Sequence, residues 1–225
     1  MPLSTLAAAL ADLVLPRCCV GCGRAGRALC LACTPGGLLR LEVAGLPVVA
    51  AGAYAGALRA ALIAYKERGR RDLAGPLGQL LVRSVAGGSA SVLVLVPVPS
   101  AARVARARGG DHVLRLARVA ARGSTGQVVT PLRLARPVQD SAGLGLRARA
   151  ANLHEAMTAT PPPRLGTAVV LVDDIVTTGA TLREAARALE VVGWVVRGAA
   201  VLAVTARREG AGSYGTSGSS GLTWG

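Results

Sequence analysis

Two groups of residues in this 225-residue chain have the types and spacing for chemistry. The first is Val169-Val170-Leu171-Val172-Asp173-Asp174-Ile175-Val176-Thr177-Thr178-Gly179-Ala180-Thr181. Four apolar residues predict a buried strand, and two adjacent carboxylates stand at its C-terminal end, where open parallel sheets bind ligands. A Thr/Gly turn then opens a helix whose positive end and N–H groups can hold a phosphate. Thr177, Thr178 and Thr181 add hydroxyl donors, and Gly179 allows close backbone approach. Carboxylates beside a phosphate cradle repel the phosphate unless they face something else. Vicinal sugar hydroxyls are such a partner, and carboxylates also stabilise positive charge developing on a sugar ring. Helix capping by Asp is the plainer reading. It explains one Asp, but not the pair, the strand and the turn together.

The second group is Cys19-x2-Cys22 and Cys30-x2-Cys33, two tight pairs seven residues apart. A two-residue spacing lets both thiolates of a pair reach one tetrahedral ion, and two pairs complete a closed four-sulfur site. A closed site leaves no position for water, so a zinc ion here is structural. Cys18 offers a Cys18-x3-Cys22 alternative; symmetry with the second pair favours Cys19. Free thiols and an iron–sulfur cluster are weaker readings of the same spacing. His112 and His154 are the only histidines. Each is read as a helix-surface or loop residue, and no Ser/His/Asp or Cys/His arrangement is apparent.

The elements that position these groups follow from periodicity. Residues 3–15 carry an apolar stripe at helical spacing and end at Pro16. The Cys-rich segment closes at Thr34-Pro35-Gly36-Gly37. Residues 47–54, 91–96, 127–134, 168–172 and 195–204 read as strands. Residues 56–67, 72–86, 101–122 (with a break at Gly109-Gly110), 148–157 and 179–192 read as helices. Residues 135–147 read as a mobile loop. Alternating strands and helices predict an α/β fold with a mostly parallel sheet flanked by helices. The organisation expected is an N-terminal helix over 1–16, a four-Cys knuckle and linker over 17–44, the α/β domain over 45–206 and a disordered Gly/Ser-rich tail over 207–225.

Composition narrows the class. The chain is too apolar for a disordered protein, and no run approaches the length that spans a bilayer. The N-terminus lacks a basic region and carries Asp12, unlike a signal peptide. Five cysteines confined to residues 18–33 do not suit an extracellular disulfide framework, so a reducing cytoplasmic location is expected. The formal charge of +14 implies polyanionic partners. A shortage of aromatic residues argues against base stacking on single strands.

The segment 169–181 resembles the phosphoribosyl-pyrophosphate (PRPP) signature of type I phosphoribosyltransferases. That pattern is four apolar residues, two acidic residues and a T-T-G-x-T loop. Further tracts in order are the paired cysteines, Tyr65-Lys66-x-Arg68-Gly69-Arg70, Val96-Pro97-Val98-Pro99, Arg106-x-Arg108-Gly109 and Asn152-Leu153. Together they resemble the ComF family of phosphoribosyltransferase-like proteins over about residues 15–206.

The resemblance implies that Asp173 and Asp174 contact the ribose hydroxyls and that Thr177, Thr178, Gly179, Ala180 and Thr181 bind the 5′-phosphate. Pro99, Ser100 and Ala101 would meet pyrophosphate, with Arg103, Arg106 and Arg108 nearby. Residues 135–150 would close over the site, bringing Arg136, Arg147 and Arg149 to the pyrophosphate. Mg²⁺ would be held mainly by pyrophosphate and ribose oxygens. The implied reaction is transfer of phosphoribosyl to an unidentified acceptor with release of pyrophosphate. The implied alternative is a non-catalytic accessory in DNA uptake that binds PRPP or single-stranded DNA, or DNA-uptake proteins. Related folds often form homodimers. This chain departs from the family at Gly110, where an aromatic is usual, and at Ser141, where Gln is usual. Those departures touch the acceptor pocket and the closing loop.

Overall fold

The computed structural model describes residues 17–88, 94–100, 110–123, 126–135 and 155–205. The expected N-terminal helix, the first part of the 101–122 helix, most of the 135–147 loop and the tail lie outside them. So do residues 148–154 of the expected 148–157 helix. Its described end is not helical: Glu155 has φ 53° and Met157 begins a strand.

Eight strands are present among the described residues: β1 (Leu39–Val43), β2 (Leu46–Ala53), β3 (Val94–Pro97), β4 (Gln127–Val128), β5 (Leu132–Leu134), β6 (Met157–Ala159), β7 (Ala168–Val176) and β8 (Val195–Val204). Four α-helices accompany them: α1 (Gly56–Glu67), α2 (Ala74–Gly88), α3 (His112–Arg122) and α4 (Ala180–Val191). The main sheet has the order β1-β2-β8-β7-β3-β4. Every neighbouring pair in it is parallel except β1–β2. The fold is therefore mixed α/β with a mostly parallel sheet flanked by helices, as the periodicity predicted.

Three local differences have physical causes. Leu39–Val43, expected as linker, pairs antiparallel with β2 through the two-residue turn Ala44-Gly45. Both turn residues have positive φ, 57° and 82°, which matches the twist of a tight hairpin. Alanine gives little sequence signal for that conformation. The expected 127–134 strand divides, because Pro131 has no N–H to offer a ladder. β4 joins the main sheet, and β5 pairs with β6 in a separate two-stranded sheet. Finally, β7 runs past the expected residue 172, with Asp173 opposite Val201 and Val176 opposite Val204. The two carboxylates thus lie within a strand and project to opposite faces.

Each face has its own core. Helices α1, α2 and α3 cover the face that carries Val170 and Val172, with Leu62, Leu77 and Leu81 fully buried beneath them. Each such leucine contributes about 1.5–3 kcal/mol. Cys19, Ala28 and Leu29 of the knuckle join the same core. Small residues allow close packing. A Cβ on Gly78 of α2 would lie 2.2 Å from Val119 Cγ1 of α3, so glycine is required there. Helix α4 covers the other face, where Val169 and Leu171 meet Leu182 and Leu189. Buried Glu184 accepts a hydrogen bond from Met157 N–H (3.0 Å) and pairs with Arg187, whose Nη2 donates to Met157 O (3.0 Å). That bridge ties the β5–β6 sheet to α4. Among the described residues, no helix is long and apolar enough to cross a membrane.

Candidate functional site

The C-terminal edge of β7 gathers the charged groups. Asp174 shares a face with Val170 and Val172 and so points toward α1 and α3. It is 5% exposed. Its Oδ2 lies 2.9 Å from Lys66 Nζ, at the last turn of α1, and makes a short hydrogen bond with His112 Nε2, at the first turn of α3. Asp173 lies on the α4 face and is half-buried. Its Oδ1 accepts the Asp174 N–H at 2.8 Å.

The two carboxyls are driven apart. Burial, and then the adjacent charge of Asp174, push Asp173 above the ordinary carboxylate range. Burial acts on Asp174 in the same direction, but the His112 hydrogen bond and the Lys66 charge outweigh it and hold Asp174 below that range.

His112 corrects an expectation. It is buried, at 4% exposure, and it pairs with Asp174. The cause is helical register: residue 112 stands one turn before Leu116, on the stripe that α3 turns to the core. Its ring also meets the Tyr65 ring edge-on at 6.4 Å. Asp111 caps α3, with Oδ1 accepting the Leu114 N–H (3.1 Å) and Oδ2 accepting the Ser100 N–H (3.3 Å). An Asp just before an apolar helical stripe is a readable cap signal, but its second bond, to Ser100, leaves no trace in the sequence.

Pro97 stands opposite Val172, and Val98 N–H donates to Val172 O at 2.9 Å. Pro99 and Ser100 therefore leave the sheet beside the diacid pair. Ala101, Arg103, Arg106, Arg108, Arg136, Arg147 and Arg149, with His154, lie outside the described residues.

After β7, Thr177 is exposed while Thr178 and Thr181 are half-buried. Thr178 Oγ1 accepts the Ala180 N–H at 3.3 Å. Gly179 precedes α4 in the left-handed region, with φ 78°. A Cβ there would lie 2.4 Å from Val43 Cγ1 and 3.1 Å from Ala44 Cβ, so the β1–β2 hairpin presses on this turn. Only glycine meets both demands. The turn sets the N-terminus of a twelve-residue helix at the sheet edge next to Asp173.

The knuckle is a second centre. The sulfurs of Cys19, Cys22, Cys30 and Cys33 all lie within 4.8 Å of one another, with Cys22 and Cys30 3.7 Å apart. Tetrahedral zinc at about 2.3 Å from each sulfur requires edges of about 3.8 Å, so the four residues fit that ion. Cys18 is exposed and outside the cluster, and its carbonyl instead accepts from Arg70 Nη2 at 3.3 Å. Burial raises the Cys19 thiol, yet the backbone N–H groups of Cys30, Cys22 and Gly21 outweigh it and lower its pKa to about 6. A thiolate is the form a metal needs.

The chain thus joins a mostly parallel α/β sheet to a diacid strand that feeds a glycine turn and a helix N-terminus. Residues 113–215 match the family model of the phosphoribosyl transferase domain. No curated protein matches the chain. Solved structures similar to it include two enzymes. One is described as the allosteric regulatory enzyme of purine biosynthesis (18% identity, TM-score 0.42, covering 62% of this chain and 29% of that one). The other is UMP synthase of Leishmania donovani (17% identity, TM-score 0.38, covering 77% and 29%). The chain thus spans less than a third of the length of either.

Proposed function

We propose that this protein binds PRPP with Mg²⁺ and transfers its phosphoribosyl group to an acceptor nucleophile, releasing pyrophosphate. The observation that carries the reading is the β7 edge itself: a carboxylate pair, a left-handed glycine turn and a helix N-terminus in sequence, inside the stretch that matches the phosphoribosyl transferase domain. The turn at residues 177–181 anchors the 5′-phosphate through backbone N–H groups and threonine hydroxyls, spending remote binding energy on orientation. Asp173 accepts from the ribose hydroxyls and, with Asp174, lowers the energy of the positive charge that builds on the ring as pyrophosphate departs. The nucleophile then attacks the opposite face of the anomeric carbon. Pro99 and Ser100 flank the leaving group, with Ala101, Arg103, Arg106 and Arg108 following them in the chain. The resemblance assigns Arg136, Arg147 and Arg149, which lie outside the described residues, to closure over the leaving group, which would exclude water.

Mg²⁺ would be held mainly by the pyrophosphate and ribose oxygens, as the resemblance implies, since a hard cation takes oxygen ligands. Asp174 is turned inward to Lys66 and His112. When bound, Mg²⁺ offsets charge on the leaving group. The four-cysteine knuckle holds a structural zinc. The order of motifs along the chain supports a ComF-like assignment; the confinement of all five cysteines to residues 18–33 is the ground for a cytoplasmic location, and homodimers follow from the resemblance alone.

The test is calorimetric titration of PRPP with Mg²⁺ into zinc-loaded protein, beside an Asp173→Asn/Asp174→Asn double variant. Binding that the variant loses supports the site and opens an acceptor screen by pyrophosphate release. Absence of wild-type binding sinks the reading.

One observation favours a second reading, a DNA-uptake accessory. A cavity of about 590 Å³ opens between the knuckle and α2, and Arg17, Arg27 and Arg83 contribute to its wall. Single-stranded DNA binding that weakens steeply with salt would support it. Arg83 is already committed, donating to Pro35 O and Gly36 O at 2.7 and 2.6 Å.

A further inference from the structure

We propose that Lys66 and His112 are positioning residues that hold the Asp174 carboxylate ionised and turned into the protein, leaving Asp173 as the carboxylate that meets the sugar. The division of roles rests on the PRPP reading above; the clamp on Asp174 stands without it.

The argument begins with desolvation. An ionised carboxylate that is 5% exposed costs several kcal/mol unless it is paired. Here one oxygen, Oδ2, takes both partners: the Lys66 ammonium at 2.9 Å and His112 Nε2. The partners arrive from two different helices, so α1 and α3 must both be docked on the sheet before the carboxylate is satisfied. The ring's other nitrogen, Nδ1, is buried with no hydrogen-bond partner among the described residues. A ring carrying a single proton on Nε2 therefore suits the pocket, because Nδ1 then buries a lone pair and not an unpaired donor. Lys66 supplies the positive charge, and His112 supplies direction.

Among the described residues, charged and titratable groups around Asp174 come from three elements. Helix α1 brings Lys66 and Tyr65, helix α3 brings Asp111, His112 and Arg115, and β7 brings Asp173. Among the described residues, Lys66 is the cation in contact with Asp174. Without it, the buried Asp174 carboxylate would lose its ammonium partner beside a second carboxylate, and each would oppose ionisation of the other. The pair would titrate as a unit at higher pH. Lys66 thus makes it possible for Asp174 to stay charged while Asp173 adjusts its own protonation to whatever it binds. Residues 66, 112 and 174 lie far apart along the chain, so their convergence is not legible from local spacing.

The test is a carboxyl ¹³C NMR titration of ligand-free, zinc-loaded, full-length protein with ¹³C-labelled aspartate. In Lys66→Met the lower apparent titration of the pair is expected to rise by about one pH unit or more. His112→Ala raises it by less, and His112→Gln, which keeps one N–H for Asp174, restores most of that loss. The pH profile of PRPP affinity should move by the same amounts. A purely structural role would weaken affinity evenly across pH and leave the titration in place. An unmoved titration in Lys66→Met overturns the proposal. Should His112→Ala fail to fold, Lys66→Met and His112→Gln decide it. The titration needs no PRPP, so absence of PRPP binding overturns the functional reading and leaves the clamp to be judged separately.

Discussion

The knuckle and the β7 edge each crowd titratable groups together, and the two balance the resulting charge by different means. At the knuckle four sulfurs lie within 4.8 Å of one another, and backbone N–H groups bring Cys19 toward the thiolate form. Four thiolates at that distance repel one another unless a cation sits among them, so that centre looks outward for its counter-charge. At the β7 edge the cation is built in: Lys66 stands 2.9 Å from Asp174. On the zinc reading, the first centre is complete only with an exogenous ion. The second is half complete, since Asp174 is satisfied internally while Asp173 is held by burial and a like charge above its ordinary range. The lesson is that adjacent carboxylates divide: Asp174 is held by side chains from two helices, whereas Asp173 takes only a backbone N–H among the bonds described.

The comparison is broken most forcefully at the knuckle. Stripping zinc with a chelator, or Cys33→Ser, is expected to lower stability by about 4 kcal/mol relative to protein in about 1,000-fold excess of free zinc over its Kd. Paired urea melts and metal analysis would read this; a melt indifferent to chelation contradicts the metal reading.

At the β7 edge the two Asn variants should have opposite signs. Asp174→Asn leaves a buried lysine contact unpaired and should cost about 3 kcal/mol at neutral pH. Asp174 is depressed in the fold, so its contribution is present above the unfolded pKa of about 4 and is lost as pH falls through the folded value. The variant and wild type should therefore converge in acid. Asp173 is raised to about 8, so the folded form binds its proton more tightly than the unfolded chain, and wild-type stability falls as pH rises from about 4 toward 8. Asp173→Asn should therefore raise Tm at pH 8, with the gain fading toward pH 4. Thermal melts across that window decide it, and a loss of Tm at pH 8 would contradict the assignment.

A smaller effect is expected at the turn. Gly179→Ala forces a side chain into the left-handed region and onto Val43, at a cost of at least about 1–2 kcal/mol. PRPP affinity should drop with it, as calorimetry would show. The smallest effect sharpens the knuckle: Cys18→Ser should leave zinc content as it is, because Cys18 lies outside the sulfur cluster. A loss of zinc would move the ligand set to Cys18.

Much of this was legible along the chain because the signals are local. Four apolar residues before Asp173, a Thr/Gly turn after Asp174 and an apolar stripe through Leu182, Ala185 and Leu189 each span a few residues. Local spacing alone is enough to specify strand, turn and helix there. The paired cysteines are local in the same sense, since a two-residue gap by itself brings two sulfurs to one ion. The β1 strand was not legible, because its hairpin turns on Ala44 at positive φ where Asn or Asp would have announced it. The end of β7 was not legible either: Asp disfavours strands, and only pairing with β8 carries the strand through Asp173 and Asp174 to Val176.

The sequence by itself determined that the chain has a parallel α/β core, a four-cysteine centre and a diacid strand leading into a glycine turn. Tertiary structure alone decided which cysteine joins the cluster, that Asp173 and Asp174 face opposite ways, and that Lys66 and His112 converge on one oxygen of Asp174. The physical reason is range. Spacing and propensity act over a few residues, whereas the protonation of a buried carboxylate is set by whatever the folded chain brings within a few ångströms of it.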